Sequence, residues 1–461
     1  MSDLSDLGIF PDQIISEILT RLPAKSICRF KSVSKGWYSM ISNPHFISSY
    51  ISKSSLSWAI FDRFIPFNPE SEPELAASEF ILQWQKPPNV SIFSVNPHKI
   101  VDKSTESLIE GHEFPATLLA SSNGFLLFSI KIERDPFKEK TATSFYWINE
   151  EDSLFVVNPI TREWVSIPKP PHYINRQSSV GFITEVKLSG VLERFIIAEY
   201  QPVIGSKIAS IMCFSSETGK WEQISANYML GMLMWKGFGA VEYDGHLVWV
   251  DPTLGIIVWD EPFSGQKEVH CRFIAFHRES VGSGGDDRFV DVGGGHIQFI
   301  ELSKKEKNEL SLWRLQDYEG GKWSLVHKLS LMDVWSDESY LAYGLEKVMP
   351  FPYLMHPFEA DIAYFMVGDR LFSLNFGTKK VESCNGGNSG LSRYIYFIVV
   401  KLPSFPLSFS PSLKATFLKE QGNKYFKAKN FNEALDCYTR SIALAGNVVA
   451  YANRAMANIN T

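Results

Sequence analysis

The stretch that decides the reading runs from Ile9 to Phe46: I-F-P-D-Q-I-I-S-E-I-L-T-R-L-P-A-K-S-I-C-R-F-K-S-V-S-K-G-W-Y-S-M-I-S-N-P-H-F. Ile14, Ile18 and Leu22 recur at four-residue steps with Ile15 and Leu19 beside them, so one short helix carries a broad apolar stripe. Pro23 ends it, and Ser26 is placed to cap a second helix. The stripe of that second helix is Ile27, Phe30, Val33, Trp37 and Ile41. Asn43-Pro44 stops it, and Phe46 follows on a short third turn. About ten large apolar side chains, worth roughly 1.5–3 kcal/mol each when buried, crowd a unit too small to close a core over all of them. Part of that surface is therefore expected to be an interface.

The segment resembles an F-box, the helical module that docks its protein onto the Skp adaptor of cullin-RING (SCF) ubiquitin ligases. The likeness runs from Phe10-Pro11 through E-I-L-x-R-L-P at Glu17–Pro23 and K-S-x-x-R-F-K-S-V at Lys25–Val33 to Trp37, Ile41 and Pro44–Phe46. Departures are mild: Phe10 stands where Leu is usual, Cys28 where Leu is frequent and Ser34 where Cys is common. The resemblance implies an adaptor-binding set of Pro11, Ile14, Ile15, Ile18, Leu19, Leu22, Pro23, Ile27, Phe30, Val33, Trp37 and Ile41. Some of these must instead form the module's own small core, and the sequence does not separate the two groups. Through the adaptor it implies cullin and RING partners, with an unidentified target protein held elsewhere in the chain.

The rest of the chain agrees with such a role. Its 461 residues suffice for two or three domains. With 45 Lys+Arg against 51 Asp+Glu and no basic block, neither nucleic acid nor an anionic membrane is expected as a main partner. Five scattered cysteines, Cys28, Cys213, Cys271, Cys384 and Cys437, form no CxxC, which fits a reducing cytoplasmic or nuclear setting. The opening M-S-D-L-S-D-L does not read as a signal peptide, and the greasiest run, Tyr394–Leu402, is too short to span a bilayer.

From about residue 55 to 402, aromatic and β-branched residues fall in short alternating runs punctuated by Gly, Pro, Asn and Asp, an all-β pattern. A strand, a polar turn and often a Trp recur at Asn96, Asn158 to Trp164, Ser215 to Trp221, Asp260, Asp317 to Trp323 and Asn375. The mean spacing from Asn96 to Asn375 is about 56 residues, near the ~50-residue kelch period. One four-stranded propeller blade has that length. The Asn, Asp and Gly would then turn the chain between a blade's last two strands, with the Trp or Val re-entering the sheet. Gly245–Asp260 and Leu312–Leu325 make the region similar to the propeller-like, F-box-associated segment of plant F-box proteins. About six blades are expected, the first over residues 55–115; a pair of β-sandwiches is the alternative.

Nothing here announces chemistry. Gly282–Asp287 and Gly293–His296 are Gly-rich but lack the Lys-Ser/Thr ending of a phosphate loop, so mobile inter-strand loops are expected. His270, Cys271 and His277 offer too few ligands for tetrahedral zinc, and Asp286, Asp287 and Asp291 read as a solvated acidic loop rather than a calcium site. There is no G-x-S-x-G elbow. No cofactor, metal or catalytic group is expected.

After the Pro/Ser-rich linker at 403–412 the pattern turns helical. Leu418, Gly422, Tyr425, Ala434 and Tyr438 resemble a tetratricopeptide repeat, and A-Y-A-N-R-A-M-A begins a second. Gly422, Ala434 and Ala443 are small residues suited to close helix approach. The variant looks like the kind that binds the C-terminal tail of heat-shock chaperones, which implies a carboxylate clamp at Lys419, Asn423 and Asn453. Stacked repeats need about three neighbours to bury a continuous core, so the one and a half present here are expected to be incomplete, marginal, or packed on the propeller.

The expected architecture is thus multidomain α+β: a helical F-box (1–52), an all-β propeller-like domain (53–402), the linker (403–412) and an incomplete helical repeat (413–461). The expected function is non-catalytic target recognition for an SCF ligase. A co-chaperone scaffold working through the tail is one alternative, and a propeller lectin or hydrolase another.

Overall fold

The structure is a computed structural model. It describes residues 12–22, 24–31, 33–41, 43, 46, 57–65, 78–100, 116–130, 152–171, 179–187, 190–203, 205–228, 230, 234–276, 288–303, 308–386, 397–402 and 408–460.

Three short helices open the chain: α1 (Asp12–Leu19), α2 (Ala24–Lys31) and α3 (Lys35–Ile41). The single second helix expected from the sequence is therefore two. Ser34 Oγ accepts a hydrogen bond from the Trp37 amide at 3.2 Å, so Ser34 caps a new helix and interrupts the old one. Ser26, expected as a cap, lies inside α2, which starts at Ala24.

Six β-sheets follow among the described residues, two of them with a short added edge strand, β2 (Phe64–Ile65) and β16 (Glu268–Val269). Five are built in chain order from β5 (Ala116–Ser122), β6 (Phe125–Ile130), β7 (Ser153–Val157) and β8 (Trp164–Ile167); β9 (Gly181–Val186), β10 (Val191–Pro202), β11 (Ile208–Ser215) and β12 (Lys220–Asn227); β13 (Gly239–Tyr243), β14 (His246–Asp251), β15 (Gly255–Trp259) and β17 (Arg272–Ala275); β18 (Arg288–Gly293), β19 (His296–Ser303), β20 (Glu309–Asp317) and β21 (Lys322–Ser330); and β22 (Phe351–Met355), β23 (Ile362–Val367), β24 (Arg370–Asn375) and β25 (Lys380–Cys384). The sixth blade joins both ends of the domain, in the order β26 (Phe397–Leu402), β1 (Ser57–Asp62), β4 (Val90–Val95), β3 (Phe80–Gln83). The first strands of successive blades touch in a closed ring: β26, β5, β9, β13, β18, β22 and back to β26. This is a six-bladed propeller, not a pair of sandwiches.

The blade expected over 55–115 is incomplete by itself and is closed by β26, with Ser57 opposite Leu402 and Asp62 opposite Phe397. In it β4 pairs in parallel with β1, and β3, though earlier in the chain, lies outside β4. Asn96 therefore leaves the blade instead of turning between its last two strands.

Four of the other five repeated turns share one geometry; at Asp260 a short 3-10 turn, Pro262–Ser264, places the left-handed residue one later, at Gly265. The fourth residue after the turn residue has a left-handed φ: Arg162 at 61°, Gly219 at 68°, Gly321 at 64° and Lys379 at 63°. The amides of Arg162, Gly219 and Lys379 reach back to the carbonyls of Asn158, Ser215 and Asn375 at 2.8–2.9 Å. Asn158 Oδ1 also accepts from the Ile160 and Thr161 amides, as Asn375 Oδ1 does from Gly377 and Thr378. A side chain that mimics a backbone turn explains why Asn, Ser and Asp recur there.

In three blades the recurrent Trp ties the blade to the one before it. Trp164 Nε1 donates to Glu79 at 3.2 Å, Trp221 Nε1 to the Pro168 carbonyl at 2.6 Å and Trp323 Nε1 to the Ala275 carbonyl at 3.0 Å. The Asp260 blade lacks the Trp; there Arg272 holds Asp260 within the blade through two bonds of 2.7 Å and packs on the Tyr318 ring of the following blade at 4.4 Å.

The linker is structured where it is described. β27 (Ser408–Phe409) pairs in parallel with β10, and α4 (Pro411–Lys427) starts at once, followed by α5 (Phe431–Leu444) and α6 (Val448–Asn460). Leu413 and Phe417 enter the propeller core, the Phe417 ring stacking on Phe195 at 6.0 Å. Lys414 Nζ meets Glu163 at 2.6 Å. Of the outcomes left open for the tail, packing on the propeller is the one found.

Replacing Trp323 by Phe keeps the ring burial and removes the inter-blade donor. A loss of about 1–2 kcal/mol is expected, read as a lower urea midpoint with unchanged slope; an unaltered midpoint would show that the staple does not contribute.

Candidate functional site

Burial in the N-terminal module splits the apolar stripe that the sequence left whole. Ile15, Leu19, Ile27, Ile41 and Phe46 are buried together, with Leu22, Phe30, Trp37 and Met40 packed partly against them. Phe30 and Trp37 lie 5.2 Å apart. These residues form the module's own core, so Ile15, Leu19, Ile27 and Ile41 support the face instead of belonging to it. The neighbouring positions of α1 point outward: Ile14 is 45% exposed and Ile18 53%, and Val33 beyond α2 is 64% exposed. Ile14, Ile18 and Leu22 line one shallow depression with Glu17 and Arg21, the last two ion-paired at 3.0 Å. An outward row of Ile and Leu framed by one fixed ion pair is a surface suited to another protein's apolar side chains. Pro11 and Pro23 lie outside the described residues, as does the side chain of Cys28.

The propeller axis is polar. Asn123 Nδ2 donates to Thr184 Oγ1 at 3.1 Å, Thr184 Oγ1 lies 2.7 Å from Ser122 Oγ, and Ser122 donates to the Glu242 carboxyl. That chain joins the innermost strands of three blades, and Ser121 Oγ reaches a fourth by donating to the Val399 carbonyl at 2.7 Å. Burial raises the Glu242 carboxyl above its ordinary range, against the opposing pull of Ser122 and Lys401. Asp291 on β18 is pushed up to about 6, chiefly by burial, although the Val292 and Met355 amides and Lys401 favour its charge. Its Oδ2 accepts from the Met355 amide at 3.3 Å, so Asp291 ties two blades at the axis and is not part of a solvated loop.

The remaining sequence candidates are structural. Gly293–His296 is not a mobile loop: Gly294 and Gly295 take φ of 55° and 78° in a tight turn between β18 and β19. A Cβ on Gly294 would lie 2.4 Å from the Ala360 nitrogen. Gly282–Asp287, with Asp286 and Asp287, and His277 lie outside the described residues. His270 is exposed while Cys271 is buried, its thiol pushed up to about 12. Among the described residues no group of three His, Cys, Asp or Glu could hold a metal ion, and no helix is long and apolar enough to cross a membrane.

In the tail, Lys419, Asn423 and Asn453 do converge, but around the chain's own Glu420. Lys419 Nζ lies 3.1 Å from Glu420, Asn423 Nδ2 donates to it at 3.1 Å, and Asn453 Nδ2 donates to Asn423 Oδ1 at 2.8 Å. Gly422 permits the close approach of α4 and α5, since a Cβ there would sit 2.6 Å from the Tyr438 ring. Ala434 is buried as expected, whereas Ala443 is exposed and the buried Ser441 takes its place, donating to the Ala415 carbonyl at 2.7 Å.

A helical module with an outward apolar row, joined to a closed six-bladed β scaffold, defines the class of F-box propeller proteins. The F-box domain description matches residues 7–49, and that of "F-box protein At3g26010-like, beta-propeller" matches residues 98–393. The chain belongs to this At3g26010-like F-box β-propeller family. Among curated proteins of Arabidopsis thaliana it is similar to the F-box/kelch-repeat protein At1g15680, 26% identical over 392 residues that span 80% of this chain and 82% of that one. It is also similar to the F-box protein At3g26010, 26% identical over 387 residues that span 80% and 77%. Of solved structures, apo AztD from Citrobacter koseri matches 76% of this chain and all of that one at 10% identity, with a TM-score of 0.30, too low to bear on function.

The axial carboxyls set a pH dependence. Asp291 has a folded value near 6, above its ordinary 3.8, so the protonated form stabilises the fold at low pH and that stability is lost as pH rises through about 6. Relative to wild type, Asp291→Asn should gain about 1–3 kcal/mol between about pH 4.5 and pH 7. Urea unfolding of both proteins across that range checks it; a constant difference would refute the assignment.

Proposed function

We propose that the protein is a target-recognition subunit of an SCF-type ubiquitin ligase. F-box domains bind Skp1-type adaptors, and through the adaptor this chain would join cullin and RING subunits in the cytoplasm, the nucleus or both. The observation that carries the reading is the division of α1: Ile15 and Leu19 close the module while Ile14 and Ile18 stay outside with no need to do so for the fold. The propeller supplies a rigid surface for the target, and the chain itself performs no bond chemistry. It raises the effective concentration of target lysines beside the ubiquitin-loaded enzyme.

The two faces of α1 make the test specific. In the full chain, Ile14→Asp with Ile18→Asp should leave the melting temperature unchanged and weaken adaptor capture at least tenfold. Leu19→Ala should instead cost about 2–5 kcal/mol of module stability. Adaptor binding by the double Asp variant at wild-type strength would end the ligase reading.

A further inference from the structure

The two ends of the propeller differ in what they carry. β1 starts, and β26 finishes, at the end where every innermost strand finishes. The chain from the F-box therefore enters the propeller there, and α4 docks there, with β27 beside the start of β10 and Lys414 on the turn that holds Glu163. The opposite end, where the innermost strands begin, carries two neighbouring connections. One joins β10 to β11 and shows Val203, Lys207 and Ile208 to solvent; the other leads into β13 and shows Met234, Lys236 and Phe238.

The described end of the second connection, residues 234–238, is anchored to the blade it enters. Its residues alternate, with Trp235 and Gly237 buried inward and Met234, Lys236 and Phe238 outward. The Lys236 amide donates to the fully buried Asp251 carboxylate at 2.7 Å, and the Phe238 amide to the Val250 carbonyl at 2.8 Å. Trp235 joins the core between two blades. The first connection is tied to the chain leaving β12 by a 2.8 Å bond from the Tyr228 amide to the Lys207 carbonyl. Ile208 is 60% and Met234 59% exposed, so large apolar side chains stand in water on a backbone that has already lost its freedom, which lowers the entropic cost of binding. Lys207 and Lys236 interrupt the apolar positions with positive charge, in a chain of net charge −6.

We infer that this end of the propeller, at Val203, Lys207, Ile208, Met234, Lys236 and Phe238, is a docking site for an extended protein segment that combines apolar and acidic side chains. The apolar residues of that segment seat on Ile208, Met234 and Phe238, and its carboxylates pair with Lys207 and Lys236. This rests on the target-recognition reading and specifies the chemistry of the target.

The test uses the full chain purified with its Skp-type adaptor and a random dodecapeptide phage library as the probe. Selection should enrich peptides with at least two apolar residues flanked by Asp or Glu. Their binding, measured as free peptides by fluorescence anisotropy, should fall at least tenfold for Phe238→Asp. It should also fall at least tenfold for Lys207→Glu with Lys236→Glu, whose side chains are exposed and do not hold the fold. Adaptor capture by these variants should be unchanged, which separates this site from the F-box. No enrichment, enrichment without acidic residues, or equal binding by either variant would overturn the proposal.

Discussion

The pairing of Ser57–Asp62 with Phe397–Leu402 is the constraint on which the propeller depends. It joins strands separated by nearly the whole domain, and closing so long a loop costs on the order of 5 kcal/mol in chain entropy. Burial of Ala59, Ile60, Phe61, Ile398 and Val400 offsets that cost. Closure also leaves no blade with a free lateral neighbour, so the row of unpaired backbone groups at a sheet edge is confined to the outermost strands. A scaffold closed in this way holds its loops in place without any bound partner.

What could be read from the sequence was whatever a local rule controls. The turns at Asn158, Ser215, Asp317 and Asn375 were legible because each needs a short polar side chain to accept from an amide two or three residues further on. The Ile14–Ile18–Leu22 row was legible because a helix places every fourth residue on one face. Position 15 against position 14 was not, since both lie near that face and only packing against α2 and α3 decides which is enclosed. The reversed order of β3 and β4 and the return of β26 were hidden because pairing between distant strands leaves no periodic mark in either one. At Ser34 a single hydroxyl overrode a continuous apolar stripe, a competition between capping and burial that a stripe alone does not reveal.

The polar axis has a different logic from the apolar blades. Ser122, Thr184 and Glu242 form one chain of hydrogen bonds across three innermost strands. Apolar packing between blades tolerates small slides, whereas a chain of hydrogen bonds is satisfied in only one register. The cost is a carboxyl held away from water, visible in the raised values of Glu242 and Asp291.

The tail belongs to the scaffold by the same physical standard. Three helices cannot bury a repeat core by themselves, and here α4 completes its burial with Leu413 and Phe417 in the hydrophobic cluster of the propeller. The polar groups that would receive a foreign carboxylate instead surround Glu420, which lies beside the turn at Gly219, since a Cβ on that glycine would stand 3.4 Å from the Glu420 side chain. A cation and an amide already paired with an internal carboxylate must release it before accepting another, and that exchange carries an opposing cost which an open clamp would not. The first of them, α4, therefore serves first as a brace beneath two blades, at the end where β1 begins.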